Sequence, residues 1–333
     1  MEDESSSASA PNHPSSSNEG EDRTAGVGDE AGAAGIDLNG LKIFYPLGHY
    51  YSPIPDTRQL EREPYRSRVW PKEPLETPGI DWRGEAQLDL CKNVFAVQTP
   101  LRFPPDSSRD STQYYTANVI YPALDAYVLQ AMLQHLRPRR MIEVGCGYST
   151  LVSAQVNREL LGGQMRLTCI DPYPPDFLVQ GVPGMSDLRV EEIQDTPLEL
   201  VEELEANDVL FIDTSHVVKT GGDVPWIFNH VIPRLNSGVV VHVHDMFIPG
   251  DYPKAWVLEG WGWNEIYIVQ SFLSFNAAFE VLFGVHWMTQ NHRDALKEAF
   301  PQLADPKTNP GSAASLWIRR RSARRSGHGP SDS

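Results

Sequence analysis

The chain has 333 residues, 41% of them hydrophobic, enough for one large domain or two small ones; 44 acidic against 28 basic side chains leave a formal net charge of −16. A surface of that sign repels a phosphate backbone, so nucleic acid is not an expected partner. No run approaches the roughly 18–20 apolar residues of a membrane helix, and the acidic, Ser-rich start lacks the pattern of a secretory signal. Cys91, Cys146 and Cys169 form neither a disulfide framework nor a paired zinc motif, so a cytoplasmic protein without a membrane partner is expected.

Residues 1–35 contain eight acids, one base and no aromatic residue. They bury too little apolar surface to offset their ordering entropy, which predicts a disordered acidic tail. Residues 36–114 are rich in Pro and aromatics, as in FYPLGHYYSPIPD (Phe44–Asp56). Frequent prolines forbid long helices, apart from a short one over Glu85–Val94. The segment reads as an N-terminal arm, either a structural wrap or a lid over a site.

A main domain is expected over 115–320. ALDAYVLQAMLQHL (Ala123–Leu136) has apolar residues at helical spacing behind Pro122. Strands follow at Met141–Gly145, Leu167–Asp171, Leu188–Ile193, Asp208–Asp213 and Gly238–His244. Helices are expected between them at Ser149–Leu161, Thr196–Leu204 and Val224–Leu235. A helix at Trp263–Asn276 precedes two further strands, Ala278–Gly284 and Ser315–Arg320, and residues 321–333 read as a basic disordered tail. Seven strands in regular alternation with helices, most of them continuous Val/Ile/Leu runs, imply an α/β fold with a doubly wound, mostly parallel sheet.

IEVGCGYST (Ile142–Thr150) joins the first strand to its helix. Gly145 and Gly147 allow close approach of a ligand to the backbone at a helix N-terminus. Thr150 stands where a dinucleotide fingerprint has its third Gly. Glu143 suits the cationic amino group of a methionine moiety and opposes a pyrophosphate. Asp171, after the second strand, is placed to accept from ribose hydroxyls or to form a turn before Pro172. Asp195 either accepts from an adenine amino group or caps the next helix.

The fourth strand ends at Asp213 with His216 three residues on; the fifth ends at His244 and Asp245. His242 shares a strand face with His244 and reads as a core residue. The others form a group with two chemical readings. In one, His216 or His244 removes a proton from an acceptor beside Asp213. In the other, Asp213, Asp245 and His244 hold a divalent metal that polarises the acceptor oxygen.

In order along the chain, IEVGCGYST, CIDPYP, DVLFIDTSH and GVVVHVHD resemble the class I methyltransferases that use S-adenosylmethionine (SAM), most nearly a bacterial group acting on small molecules. The likeness includes GHYYSPIPD (Gly48–Asp56), YPKAWVLEGWGWNE (Tyr252–Glu265) and SLWIRR, and leaves out only the two tails. It implies a Rossmann-like seven-stranded sheet with the last strand antiparallel. It also implies a SAM pocket lined by Glu143, Gly145, Gly147 and Asp171, with Asp195 near the adenine and Asp213 near the methyl-donor end. Metal-dependent catechol-type relatives end the fifth strand in Asp-Asn, where this chain has His244-Asp245. The expected activity is methyl transfer from SAM to a hydroxyl or amine of a small molecule, such as a sugar or secondary metabolite. Tyr114, Tyr115, Trp261 and Trp263 are candidates for the acceptor pocket or for packing. A non-catalytic SAM- or nucleotide-binding module and an NAD-dependent oxidoreductase are the rival readings.

Overall fold

Helix α1 (Ala123–Leu136) forms where the sequence places it, for three local reasons. Pro122 precedes it with its φ already set. Its side chains are buried on nearly every side, as an all-round apolar helix requires. It stops where Arg137 turns to φ 47, ahead of Pro138.

A computed structural model describes residues 36–38, 41–73, 75–107, 111–304 and 313–322. The expected disordered tail 1–35, and all but two residues of the basic tail 321–333, lie outside the described residues. The chain divides into two compact units, Met1–Arg58 and Gln59–Ser333. In the first, Ile36–Leu38 and Leu41–Ile43 pair as an antiparallel hairpin. The Tyr45 ring stacks on His49 at 4.8 Å.

The second unit is built on a seven-stranded sheet: β1 (Arg140–Val144), β2 (Arg166–Ile170), β3 (Asp187–Arg189), β4 (Val209–Ile212), β5 (Val240–Val243), β6 (Phe279–Gly284) and β7 (Leu316–Arg320). Its spatial order is 3-2-1-4-5-7-6. The pairings from β3 through β5 are parallel, and β7 runs antiparallel to both β5 and β6. Hydrophobic side chains are buried on both faces. This is the α/β, Rossmann-like arrangement expected. The strand order reverses between β1 and β4, where open sheets of this kind bind ligands outside their carboxyl ends.

Several elements are shorter than the pattern predicts. β3 stops at Arg189, because at the sheet edge Val190 is already 62% exposed and pairs no further. The helix expected over Thr196–Leu204 reduces to Glu199–Glu202, the preceding segment being held in a turn by Thr196 Oγ1 donating to Glu191. The helix expected over Val224–Leu235 loosens after Trp226 into a wide turn and a tight one, as Pro233 has no N–H to continue the ladder. Helix α2 (Tyr148–Glu159) follows β1, and α3 (Glu265–Leu273) carries the end of the aromatic stretch. Helices α4 (Val285–Asn291) and α5 (Arg293–Ala299) lie between the last two strands, where the sequence pattern assigned no element.

The expected arm, 36–114, does not stay in one piece. Its residues from 59 onward belong to the unit that holds the sheet. Phe95 packs on Phe283 and Phe300 at 5.2 and 5.7 Å. Gly284 N–H donates to Gln87 Oε1, and Leu101 N–H to Gln130 Oε1. Aromatic area and the Gln87 amide of the Pro-rich stretch tie it to the sheet, and Gln130 ties it to α1.

Candidate active site

The loop between β1 and α2 is closed by backbone bonds: Gly145 N–H donates to Ile170 O, and Asp213 N–H to Val144 O. Gly145 sits at φ 78, and a Cβ there would lie 1.6 Å from the carbonyl oxygen of Asp213. The neighbouring strand end by itself therefore requires this glycine. Gly147 is the opposite case. A Cβ on it would meet nothing within 4 Å, so the space above it is open. Gly147 N–H donates to Thr150 Oγ1, so the residue in place of a third glycine is a buried hydroxyl that braces the turn.

Glu143 lies beneath this loop, fully buried, and accepts from Ser149 Oγ at 2.6 Å. Burial pushes its carboxyl up to about 8. In the ligand-free chain it is thus a neutral prop for the loop, not the exposed anion that the sequence suggested for a methionine amino group. Asp171 is half-buried and accepts from Cys146 N–H at 2.9 Å and from Tyr173 N–H at 2.7 Å. It makes the turn before Pro172 and fastens the glycine loop as well. Asp195 is exposed in a turn on the same edge of the sheet. The cap reading for it fails, because the next helix begins only at Glu199 behind Leu198.

Across the switch point, Asp213, His216, His244 and Asp245 do come together, with a residue that the sequence reading missed. His216 Nδ1 is 2.9 Å from Glu265 Oε2, and its Nε2 is 3.2 Å from Asp213 Oδ1 and 3.8 Å from Asp245 Oδ2. The main chain repeats the link: Asn264 and Glu265 N–H both donate to His216 O, and Val218 N–H donates to Asn264 Oδ1. His216 (φ 56) and Asp245 (φ 53) both adopt the left-handed region, strain of the kind that clusters at functional sites. The Trp263 ring packs on His216 at 4.2 Å. A signal for Glu265 exists: one carboxylate opening an otherwise apolar helix. Asp125 is similar, the one acid in α1, and it accepts from the N–H groups of Ala314 and Ser315.

Charge in this cluster is arranged in advance. Burial works against a charged His216, but the Asp213 and Glu265 carboxylates outweigh it and hold the imidazole well above its usual range. Burial likewise opposes charge on His244, and Asp245, Asp213 and Asp125 outweigh it. Burial alone would raise Asp213, yet His244 and His216 keep it below the usual carboxylate range. Asp245 goes the other way, pushed up by burial to about 6. His244 is buried between the Tyr121 and His242 rings at 4.9 and 5.8 Å. Neither imidazole is thus an open base: both are enclosed, His216 with each ring nitrogen on a carboxylate and His244 with Asp245 3.8 Å from its Nε2. His242 is a core residue, stacked on Phe211 at 3.9 Å. Asp213, with its side chain 27% exposed, is the open member, against 5% for His216, 3% for His244, 12% for Asp245 and none for Glu265.

The metal reading does not fit this geometry. Among the described residues, no group of three or more His, Cys, Asp or Glu side chains is placed to hold a metal ion. The His216 ring stands between the Asp213 and Asp245 carboxylates, and His244 Nε2 is 3.8 Å from Asp245 Oδ1, so neighbouring imidazoles take the positions a cation would occupy. Of the aromatic candidates, Tyr114 is packing, fully buried with its hydroxyl donating to Tyr121 O. Tyr115 meets Tyr148 at the start of α2, hydroxyls 3.4 Å apart, and Trp261 stacks on Trp256.

A family described as a methyltransferase domain matches residues 142–246, from β1 to just past β5. An uncharacterized protein of Archaeoglobus fulgidus is 32% identical over 178 residues, which are 52% of this chain and 78% of that protein. The chain belongs to this methyltransferase family. Among solved structures, this methyltransferase matches the O-methyltransferase TomG of Streptomyces achromogenes in complex with SAM (15% identity, 78% of this chain and 95% of that one, TM-score 0.38). It also matches an O-methyltransferase of Bacillus cereus in complex with SAH (14%, 77% and 96%, TM-score 0.37). Likeness at that level carries no argument about the methyltransferase's acceptor. No helix among its described residues is long and apolar enough to cross a membrane.

Proposed function

We propose that this methyltransferase moves the methyl group of SAM to a hydroxyl or amine of a small molecule, with Asp213 as the group that takes the acceptor's proton. One observation carries the reading: nothing lies within 4 Å of a Cβ on Gly147, in a loop whose Cys146 N–H is held by Asp171 and whose Gly145 abuts the carbonyl of the partly exposed Asp213. In this reading, the 145–147 loop and the start of α2 hold SAM, Asp171 accepts from the ribose, and Asp195 reaches the adenine. Bound there, SAM supplies an electrophilic methyl on a positively charged sulfur.

The chain's own part is positioning and proton transfer. Asp213 is ionised, because His216 and His244 neutralise it from behind. Its open face accepts a hydrogen bond from the acceptor's O–H or N–H and takes the proton as the new bond forms. His216 acts as a fixed donor that aims Asp213, and Glu265 and Trp263 hold its ring. The Thr150 hydroxyl that braces the turn, where a dinucleotide fingerprint has its third glycine, weighs against the oxidoreductase reading. A charge cluster of this size weighs against a module that only binds.

Calorimetry tests the pocket: heat with SAM and with its demethylated product, none with NADH. Heat with the dinucleotide alone would end the proposal. Incubation with SAM and cell extract, read by mass for added methyl groups, then identifies the acceptor.

A further inference from the structure

A second cavity, of about 560 Å³, lies apart from the glycine loop, on the far side of the aromatic wall that backs His216. Its size falls in the range of roughly 300–1,000 Å³ typical of small-molecule sites. Trp70, Leu124, Phe247, Tyr252 and Leu296 line its interior. Tyr252 packs on Trp263 at 5.8 Å, and its hydroxyl accepts from Ile266 N–H, so this ring separates the cavity from the Asp213 cluster.

Its charge is unlike that of the molecule as a whole. Arg293 and Lys297 both line it, four residues apart and thus on one face of α5, in a chain of net charge −16. Among the described residues Arg293 has no ion pair. Lys297 pairs only with Asp294, at 3.1 Å between side chains 68% and 90% exposed, a contact that water screens. Among the described residues the lining holds a single acid, Asp251, which accepts from Tyr252 N–H and Tyr267 Oη and whose carboxyl burial pushes up, away from its charged form. His286, T-stacked on Phe247, is neutral, burial pushing it down to about 4.

We propose that this cavity is a second ligand site, for an amphipathic organic anion. Its aromatic or aliphatic body lies along Phe247, Tyr252 and Trp70, and its carboxylate, phosphate or sulfonate meets Arg293 and Lys297. An apolar pocket lined by two cations from one helix face and by the half-buried Asp251 selects a molecule that is greasy at one end and negative at the other. A neutral molecule of the same shape gains only the burial.

Fluorescence titration of the full chain with 8-anilinonaphthalene-1-sulfonate, against uncharged N-phenyl-1-naphthylamine, tests this. The wild type binds the sulfonate at one saturable site, and saturating S-adenosylhomocysteine does not displace it. The exposed double change R293E/K297E weakens the sulfonate by about tenfold or more, a 1.4 kcal/mol effect, and leaves the neutral probe unchanged. Thr289→Trp, at a half-buried lining position, blocks both probes. Displacement by S-adenosylhomocysteine, equal loss of both probes in the double variant, or unaltered binding in Thr289→Trp overturns the site. The outcome does not depend on methyl transfer, so it stands or falls separately from that activity.

Discussion

The two sides of the carboxyl edge are built in opposite ways. On the β1–β2 side the site is backbone and empty space: a glycine turn, a helix start and one half-buried aspartate that fastens the loop. On the β4–β5 side it is side chains and charge, with two imidazoles among the carboxylates of Asp213, Asp245 and Glu265. The first side needs room for a bound molecule, so its cost is loop geometry. The second needs a group of set ionisation at one spot, which a buried network fixes before anything binds. Holding and reacting are thereby separable, and substitutions should separate them.

The largest effect is expected at Asp213. Asp213→Asn lowers turnover with SAM by about 10²–10⁴-fold, the usual contribution of a positioned proton acceptor, while calorimetry shows SAM affinity nearly unchanged. An equal loss of affinity would merge the two sides. The paired glycines come next. Gly145→Ala loses roughly 2–5 kcal/mol in denaturant unfolding, from the collision with Asp213 O and the positive φ. Gly147→Ala stays within about 1 kcal/mol of wild type in stability, yet weakens SAM by about tenfold or more, because its methyl enters the open cradle. If Gly147→Ala binds SAM normally, the cradle is not where the cofactor lies.

Glu143 gives a pH signature on the holding side. Its folded-state carboxyl stands at about 8 against an ordinary 4.5, so the folded chain holds a proton that the unfolded chain releases. Stability from this group is present below pH 4.5 and is lost as pH rises towards 8. Glu143→Gln keeps the oxygen that accepts from Ser149. It should therefore gain on wild type by up to a few kcal/mol between pH 5 and 8 in urea unfolding. A difference that stays flat with pH would mean Glu143 is ionised in the fold. The smallest effect is none: excess EDTA leaves methyl transfer unchanged, and a chelator-sensitive rate would restore a metal to the β4–β5 side.

How much of this was legible differs between the two sides for the same reason. The glycine turn, Asp171 and the order of strands are local or periodic features, and they read directly from IEVGCGYST, CIDPYP and the apolar runs. The approach of Asp213, His216, His244 and Asp245 was legible too, since strand ends of an open sheet share one crevice. The partner of Glu265 was not, although a carboxylate opening α3 stands out, because His216 lies 49 residues away and the two meet only through the packing of α3. The constraint that the carbonyl of Asp213 puts on Gly145 was not legible either, being a contact between strands far apart in sequence. Elements shrank wherever local pattern met an edge or a proline, as at β3 and after Trp226.

By itself, the sequence determined the alternation of strand and helix, the site at their carboxyl ends and the residue types gathered there. Periodicity and turn chemistry act over a few residues and survive without neighbours. Only the tertiary structure decided which of those residues are charged and which are open. Ionisation depends on burial and on partners brought from elsewhere in the chain. Enclosure beside carboxylates raised His216 and His244 above their usual range, left Asp213 below its own as the most open member of the group, and pushed the Glu143 carboxyl up to about 8.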